Sequence, residues 1–247
     1  MAAAGFAELV TRQDSDKMAT ASGRRSAGGV RPLHPPASRP ATFRAPGIAR
    51  RARLLAAARE LLGTHELDAL SLADVATRAR IPKGSSYHYY SDIMDLYAHL
   101  LAVIQEEMLE DLRRPLRRSA IGSWEDVIAA LIRRGVRYYE EQPAARQLIL
   151  SAKAPPELKL RDRHSDIRIG KVFEQHIDAC FVLPKHAGRE AIFFRAVEIA
   201  DLMFALSILE HGRITEEMTE EAVRGMAGYL RTHIPGRLPE RDAPAPA

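Results

Sequence analysis

The segment Lys83–Tyr90, with the sequence KGSSYHYY, brings together side chains suited to contact with a polyanion. Lysine donates hydrogen bonds to phosphate oxygens and to base edges in the major groove, and serine and tyrosine hydroxyls donate to phosphate. Gly84 has no side chain, so the backbone there can approach a binding partner closely. The residue types of this segment are therefore compatible with contact to phosphates and base edges.

Other kinds of chemistry have little support in the sequence. Cys180 is the one cysteine, so neither an intrachain disulfide nor a cysteine-based zinc site is expected. His164 and His176 are apart in helical register and have no acidic or cysteine companions, so we predict no metal site. No set of nucleophile, base and orienting residue and no glycine-rich phosphate loop is found. We therefore expect neither an enzyme nor a cofactor.

Charge is distributed unevenly along the chain, whose formal net charge is +4. Residues 1–46 carry seven Lys/Arg and three Asp/Glu, and residues 47–91 carry seven and four. Residues 92–247 carry 22 and 25. A basic head therefore precedes a slightly acidic body, as suits a protein that docks one end against phosphate.

The two ends of the chain have the composition of disordered tails. Residues 1–46 are rich in Ala, Ser, Gly, Pro and Arg and contain few apolar side chains, and residues 235–247 end in PERDAPAPA. The first tail is either inert, with Met18 as an alternative start, or a basic arm for DNA phosphates. Without a signal peptide or an apolar membrane span, we expect a cytoplasmic protein with no membrane partner.

Between the tails, apolar residues recur every three or four positions and alternating β-branched runs are missing, so we predict an all-α fold. The first helix covers about 48–62, the second begins at Ser71, and Ser71 with Asp74 forms a capping box. The remaining helices are predicted at about 83–89, 93–113, 123–140, 143–152, a stretch ending near 181–183, 189–211 and 215–232.

The second and third helices are spaced as a helix-turn-helix. Val75 and Ala76 can pack against the first helix, and the small Ala79 precedes a turn at Arg80. Ile81 then fills the space between the two helices. Such a unit presents the N-terminal part of its second helix to the major groove.

The stretch SLADVATRARIPKGSSYHYYSDIMDL resembles the DNA-binding domain of TetR-family transcriptional regulators, whose pattern runs approximately T-V-x-D-I-A-x-x-A-G-V-S-x-G-T-L-Y-x-H-F-x-S-K-E-x-L. The resemblance covers about 48–108. It implies that Lys83, Gly84 and Ser85 contact bases and the nearby DNA backbone, and that Tyr87 and Tyr89 contact phosphates. It also implies that Tyr90 is the aromatic residue that anchors the third helix to the core. The predicted DNA-binding residues are Ser71, Lys83, Gly84, Ser85, Ser86, Tyr87, His88 and Tyr89.

Three aromatic residues within four positions, Tyr87, Tyr89 and Tyr90, cannot all face inward on one short helix. We expect Tyr90 in the core and Tyr87 on DNA, while His88 is either a groove contact or solvated. Arg50, Arg51 and Arg53 are expected on a solvated face, with a phosphate or minor-groove role as the alternative.

The chain departs from the family pattern at three positions. Ile93 replaces a phosphate-contacting lysine, so we expect one phosphate contact fewer than the family pattern provides. Arg80 replaces the turn glycine, which predicts strain or a different turn. Ala73 stands where arginine is frequent.

For residues 109–234, the resemblance implies an all-helical effector-binding and dimerisation domain whose last two helices pack against those of a second copy. The apolar positions of these two helices exceed the needs of one buried face, as an interface would require, although each residue alone equally suits a plain core: Val197, Phe204, Ile208, Met218, Met226 and Leu230. An effector pocket is implied too, with candidate lining residues that equally suit a core or a surface: Tyr97, Met108, Trp124, Tyr138, His164, His176 and Phe193.

Two hypotheses of function remain open from the sequence. The first is a homodimeric repressor that leaves its double-stranded operator DNA when a small molecule binds the body. The second is a DNA-binding regulator or architectural protein that a protein partner controls, with no effector pocket.

Overall fold

The computed structural model describes residues 45–241, which are helical almost throughout, as predicted. The predicted basic tail lies outside the described residues except for its last two positions, which begin the first helix. The helices are α1 Ala45–Leu61, α2 Leu72–Arg78, α3 Lys83–Ser86, α4 Ile93–Arg113, α5 Trp124–Glu141, α6 Pro143–Ala145, α7 Pro156–Cys180, α8 Arg189–His211 and α9 Glu216–Arg231. The turn Arg146–Leu150 after α6 is a π-helix.

Local side-chain chemistry determines where several of these helices begin. At α2, Asp74 N donates to Ser71 Oγ at 3.3 Å and Ser71 N donates to Asp74 Oδ2 at 3.0 Å, which completes the predicted capping box. The hydrogen bonds that the hydroxyl and the backbone N of Ser71 donate to the carboxylate lower the pKa of Asp74. Ser123 and Asp126 cap α5 in the same way, and Asp92 caps α4. The starts of these helices are therefore set within a few residues of sequence.

Helices α1 to α3 pack against one another and, through α1, against the N-terminal half of α4. Ile81 is 5 % exposed and lies between α2 and α3, as predicted. Other buried residues of this region include Leu54, Leu55, Ala58, Leu62, Val75, Ala76, Ala79, Tyr90, Leu96 and Leu100, which belong to a hydrophobic cluster that continues into the body. The three short helices are therefore held as one unit on α4.

The turn between α2 and α3 contains the strain predicted at Arg80. Arg80 has φ 54°, and it is the one non-glycine residue with positive φ among the described residues. The left-handed conformation costs about 1–2 kcal/mol for a residue with a Cβ atom. Arg53 of α1 donates to the carbonyl oxygens of Ala79 and Arg80, the second at 3.2 Å, and so holds the turn from outside.

The body is built around α4, which packs against α5 and α7. Helix α8 packs between α7 and α9, and α9 also contacts α5. A Cβ atom added at Gly170 of α7 would lie 2.9 Å from the backbone of Phe193, so α7 and α8 approach closely there because this position is glycine. The body is therefore a bundle whose interior is enclosed by α4, α5, α7 and α8.

Residues 235–241 differ from the loose tail predicted for 235–247. Val182 N donates to Pro239 O at 2.8 Å, Arg241 N donates to Cys180 O at 2.9 Å, and Trp124 Nε1 donates to Pro235 O at 3.1 Å. The segment is ordered because it satisfies backbone groups that follow the end of α7. The predicted tail beyond residue 241 lies outside the described part of the chain.

Replacing Arg80 with glycine should stabilise the fold. Glycine removes a steric cost of about 1–2 kcal/mol but adds about 0.4–1 kcal/mol of freedom to the unfolded chain. We therefore expect Arg80→Gly to be more stable than Arg80→Ala, which loses the same side chain and keeps the strain, by up to about 1.6 kcal/mol. Urea denaturation measures the difference, and equal midpoints for the two variants would contradict the strain at this turn.

Candidate functional site

Helix α3 presents an exposed polar surface at the tip of the N-terminal unit. Lys83, Gly84 and His88 are exposed, Ser85 is half-buried, and the side chain of Tyr87 is 57 % exposed. A tyrosine is seldom left this exposed without a partner, because its ring is largely apolar. The structure thus leaves the predicted lysine and tyrosine free to reach a groove or a phosphate.

The helix is shorter than the predicted span to residue 89. It ends at Ser86, and His88 N and Tyr89 N then donate to the carbonyl oxygens three residues before them, Ser85 O and Ser86 O. These tighter hydrogen bonds turn the chain so that Tyr90 points to the core while Tyr87 points outward.

Ser86 was predicted to contact DNA, and its position contradicts that role. The residue is fully buried, and its hydroxyl donates to Lys83 O at 2.6 Å. The side chain therefore stabilises the short helix from inside. Sequence reasoning missed this because Ser85 and Ser86 have the same chemistry, and only packing distinguishes them.

We call Lys83–Tyr90 the recognition segment, and Tyr90 anchors it to α4. Its ring is 1 % exposed, and its hydroxyl lies 2.9 Å from Nδ1 of His99 in a buried hydrogen bond. The two rings are 5.9 Å apart between centroids. A buried polar pair of this kind resists displacement because separating it would leave two polar groups unsatisfied.

The arginines of α1 do more than occupy the solvated face expected from the sequence. Arg51 Nη2 donates to Tyr89 O at 3.4 Å, and its guanidinium lies 5.4 Å from the centroid of the Tyr90 ring. The exposed Arg50 donates from Nη1 to Tyr89 Oη at 3.4 Å. Arg50 and the half-buried Tyr89 therefore form a paired donor group beside Tyr87. From the sequence, Arg50 was expected on a solvated face, with a phosphate or minor-groove role as the alternative. The two residues of this pair are far apart in the chain, so no sequence pattern predicts their contact.

Two other predicted positions are constrained by local contacts. The exposed Ser71 donates its hydroxyl to Asp74 Oδ2 at 2.6 Å while capping α2, so a phosphate contact would compete with the cap. Ile93, at the start of α4, is partly buried and packs against the core.

A second feature, a cavity of about 40 Å³, lies inside the body between α4, α5, α7 and α8, with Met226 of α9. Its wall is mostly apolar, and Asp201 is its one charged side chain. The lining residues are Met108, Leu112, Leu131, Ile132, Gly135, Tyr139, Ile169, Phe173, Val197, Ala200, Asp201, Phe204 and Met226.

Of the predicted effector residues, Met108 lines this cavity and the others do not. Tyr97 belongs to the N-terminal unit, where its hydroxyl donates to Leu67 O at 3.1 Å and burial raises its pKa to about 12. Trp124 lies near the C-terminal segment, bonded to Pro235 O. Phe193 is buried where α8 meets Gly170.

Tyr138 and the two histidines are held elsewhere by hydrogen bonds. Tyr138 donates from its hydroxyl to Ile104 O at 3.1 Å and lies 3.3 Å from Glu107 Oε2. His176 Nε2 donates to Leu112 O at 2.9 Å, and burial lowers its pKa. His164 is exposed, with Nδ1 bonded to Leu160 O. The neighbouring Tyr139 lines the cavity instead of Tyr138. Successive residues of an α-helix point about 100° apart, so the two side chains face different neighbours.

Comparisons with known proteins agree with this architecture. Residues 54–100 match the family model for bacterial regulatory proteins of the tetR family, and residues 122–234 match the model for a tetracyclin repressor-like C-terminal domain. No protein of curated function matches the chain in sequence. Within residues 45–241, no helix is long and apolar enough to cross a membrane.

Three solved structures share the fold. A TetR-family transcriptional regulator from Streptomyces coelicolor has a TM-score of 0.58 and 22% identity, over 74% of this chain and 98% of that one. A TetR regulator from Rhodococcus sp. RHA1 has a TM-score of 0.54 and 18% identity, over 74% and 95%. A putative tetR family regulator from Shewanella sp. PV-4 has 0.50 and 14%, over 74% and 97%.

Lys83→Ala and Tyr87→Phe should each weaken DNA binding without changing the fold. Removal of the lysine charge should reduce the dependence of log K on log salt by about 0.9 for each phosphate that the protein no longer neutralises. Removal of one tyrosine hydroxyl should weaken binding of all sequences by about 0.5–1.5 kcal/mol per hydrogen bond. Binding to a duplex selected from a randomised pool, at several salt concentrations, measures both effects.

Lys159→Ala, which removes an exposed lysine on α7, is the matched control for charge. It should leave affinity and salt dependence unchanged. Unchanged affinity in both the Lys83 and the Tyr87 variant would remove α3 from the DNA interface.

Proposed function

Because the chain belongs to the TetR family of bacterial regulatory proteins, we propose that it is a homodimeric transcriptional repressor that a small-molecule effector releases from its operator. The observation that carries this proposal is the course of α4. One end of this helix holds the recognition segment, and the other end forms part of the cavity wall. A change in the cavity can therefore reach the DNA-binding surface through a single rigid element.

The N-terminal half of α4 is fastened to the DNA-binding unit. His99 bonds to Tyr90, while Leu96 and Leu100 are fully buried in the core of that unit. These contacts leave the recognition segment no independent route of movement. Displacement of α4 should carry α3 with it.

The C-terminal half of α4 faces the effector cavity through Met108 and Leu112. The cavity of about 40 Å³ is far smaller than the roughly 300–1,000 Å³ typical of drug-sized ligands. An effector must therefore push side chains and helices apart to enter, and the flexible Met108 and Met226 can yield first. A ligand that stabilises an expanded body shifts the population toward that state.

Within the C-terminal half of α4, next to Met108, an ion pair joins the DNA-binding unit to the body. Arg59 Nη2 of α1 lies 2.8 Å from Glu107 Oε2 of α4, and Tyr138 of α5 donates toward the same oxygen. Both charged side chains are mostly buried, so the geometry of this contact matters for stability. Movement of α4 relative to α5 would strain the contact and transmit the change to α1.

Dimerisation is supported by apolar side chains left uncovered on α8. Leu202 is 54 % exposed and Leu209, two turns later on the same face, is 69 % exposed. The helix is rich in apolar residues around its whole circumference, which is typical of a helix buried on more than one side. A second copy packed on this face would place two recognition segments on one duplex, one helical turn (about 34 Å) apart.

A charge placed on this face should dissociate the dimer. Leu202→Glu should shift the protein toward monomer in analytical ultracentrifugation and reduce operator affinity, because two carboxylates would meet across the two-fold axis. Leu160→Glu, at a leucine on α7 that is 61 % exposed, is the matched control and should remain dimeric. A dimeric Leu202→Glu protein would show that the interface lies elsewhere.

Effector control can be tested before the effector is known. Compounds that raise the thermal unfolding temperature of the free protein should lower its affinity for the selected duplex. Ala200→Val, which adds methyl groups to the cavity wall, should abolish the response to compounds while preserving DNA binding. Ala179→Val at an exposed position of α7 should preserve both. Stabilising compounds that leave DNA affinity unchanged would contradict the proposed release.

A further inference from the structure

A cluster of four carboxyl groups lies beside the effector cavity, where α7 packs against α8. Asp162 and Asp166 come from α7, and Glu198 and Asp201 come from α8. Asp166 is only 3 % exposed, while Asp201 forms part of the cavity wall. Burying several acidic groups together is costly unless cations or protons compensate them.

Few positive charges compensate this cluster. Arg163 Nε donates to Glu198 Oε2 at 3.2 Å, and this is the one ion pair that the four groups form among the described residues. Gln105 of α4 donates to Asp162 Oδ1 at 2.9 Å, but its amide is neutral. Arg168, also on α7, forms an ion pair with Glu106 of α4 instead. The remaining wall of the site, α5, contributes Tyr139, which carries no charge at neutral pH.

Without a ligand, protons must supply the missing positive charge. Burial, strengthened by repulsion from the neighbouring carboxylates, raises the pKa of Asp162, Asp166 and Asp201. The ligand-free site is therefore at least partly protonated, and a cation that enters it can take the place of a proton.

A buried hydroxyl next to the cluster has no partner. Ser165 is 4 % exposed, lies between Asp162 and Asp166 on α7, and its Oγ has no hydrogen-bond partner in residues 45–241. Ile169, one turn later on the same face, lines the cavity. An unsatisfied buried hydroxyl costs free energy, so its position at this site indicates a polar group that is still to be bound.

Three aromatic side chains lie in the cavity wall with Asp201. They are Tyr139, Phe173 and Phe204, and the Tyr139 and Phe204 rings meet edge to face with centroids 6.0 Å apart. Aromatic faces attract organic cations as well as apolar groups. A carboxylate and aromatic rings around an apolar space suit a molecule with a positive head and a hydrophobic body.

Resting on the effector control proposed above, we propose that the effector is a hydrophobic amine, whose ammonium group donates to Asp201 and the carboxyl cluster behind it while its apolar body packs against Tyr139, Phe173 and Phe204. A metal ion fits the cluster less well. In the part of the chain that the structure describes, no three His, Cys, Asp or Glu side chains are arranged to hold one. An ammonium group needs only acceptors on one side.

The test uses three probes with the same tail and different heads: hexylamine, hexan-1-ol and hexanoate. Thermal unfolding of the full-length protein without DNA should show stabilisation by hexylamine of about 2–5 °C near saturation and none by the other two. Calorimetric titration in two buffers of different ionisation heat should show release of about one proton per amine bound near pH 7, because the bound ammonium displaces a proton from the cluster.

Asp201→Asn should abolish both the stabilisation by hexylamine and the proton release. Asparagine resembles the protonated aspartic acid in shape, so the variant should fold with an unfolding temperature no lower than that of the wild type. Glu190→Gln, which neutralises an exposed carboxylate on the same helix, is the matched control and should respond like the wild type.

Equal stabilisation by all three probes, or an undiminished amine response in Asp201→Asn, would overturn the assignment of the amine site. So would loss of the dimer in Asp201→Asn, since the carboxylate would then belong to the subunit interface. Binding of hexylamine without release of the selected duplex would leave the amine site standing and contradict the proposed control of DNA binding instead.

Discussion

The buried hydrogen bond between Tyr90 and His99 is the contact on which the DNA-binding arrangement depends. Helix α3 has only four residues, too few to hold an orientation by its own backbone hydrogen bonds. Its orientation is set by Tyr90, which is buried and hydrogen-bonded to His99, and by Ser86, whose buried hydroxyl donates to Lys83 O within the helix. With these two side chains buried, Lys83 and Tyr87 are directed outward. The orientation of α3 therefore depends on α4, which carries His99.

The arginines of α1 compensate for an unusual turn. Most of the strain in the helix-turn-helix is at Arg80, which adopts a conformation that glycine adopts freely. Arg53 holds the carbonyl groups on both sides of this position, and Arg51 holds the end of the recognition segment through Tyr89 O. Helix α1 thus stabilises both the turn and the end of the recognition segment. Arg50, on the exposed side of α1, adds a positive charge next to Tyr89.

The interior of the body contains two features that cost stability, a buried group of carboxyl side chains and a small cavity. A pair of apolar helices of the same length could pack α7 against α8 without any buried carboxyl group. Instead, Asp162, Asp166, Glu198 and Asp201 lie close together, and a small cavity remains next to them. Both features lower the stability of the ligand-free protein, and the proposed effector would relieve both by filling space and bringing positive charge. Strongly shifted acidic groups in an enclosed site are typical of functional positions.

The sequence by itself determined the features that depend on neighbours a few residues away. Capping by Ser71 and Asp74 follows from a spacing of three positions. The crowding of three tyrosines and the family resemblance predicted Tyr87 outside and Tyr90 inside, but two residues three positions apart share a face of a continuous helix. Their opposite directions depend on the end of α3 at Ser86 and the tighter turn that follows it. Only the tertiary structure decided which of two adjacent residues meets a given partner. It buried Ser86 while leaving Ser85 half-exposed, and it placed Tyr139 in the cavity while Tyr138 bonds to α4.

The same holds for contacts between segments far apart in the chain. Residues 235–241 look like a loose end by composition, yet they pair with backbone groups after α7. The carboxyl cluster combines positions that each read as a solvated charge on a helix surface. A periodic pattern reports that a side chain faces inward, but the cavity and its acidic edge exist because four helices meet at particular rotations, which no single helix encodes.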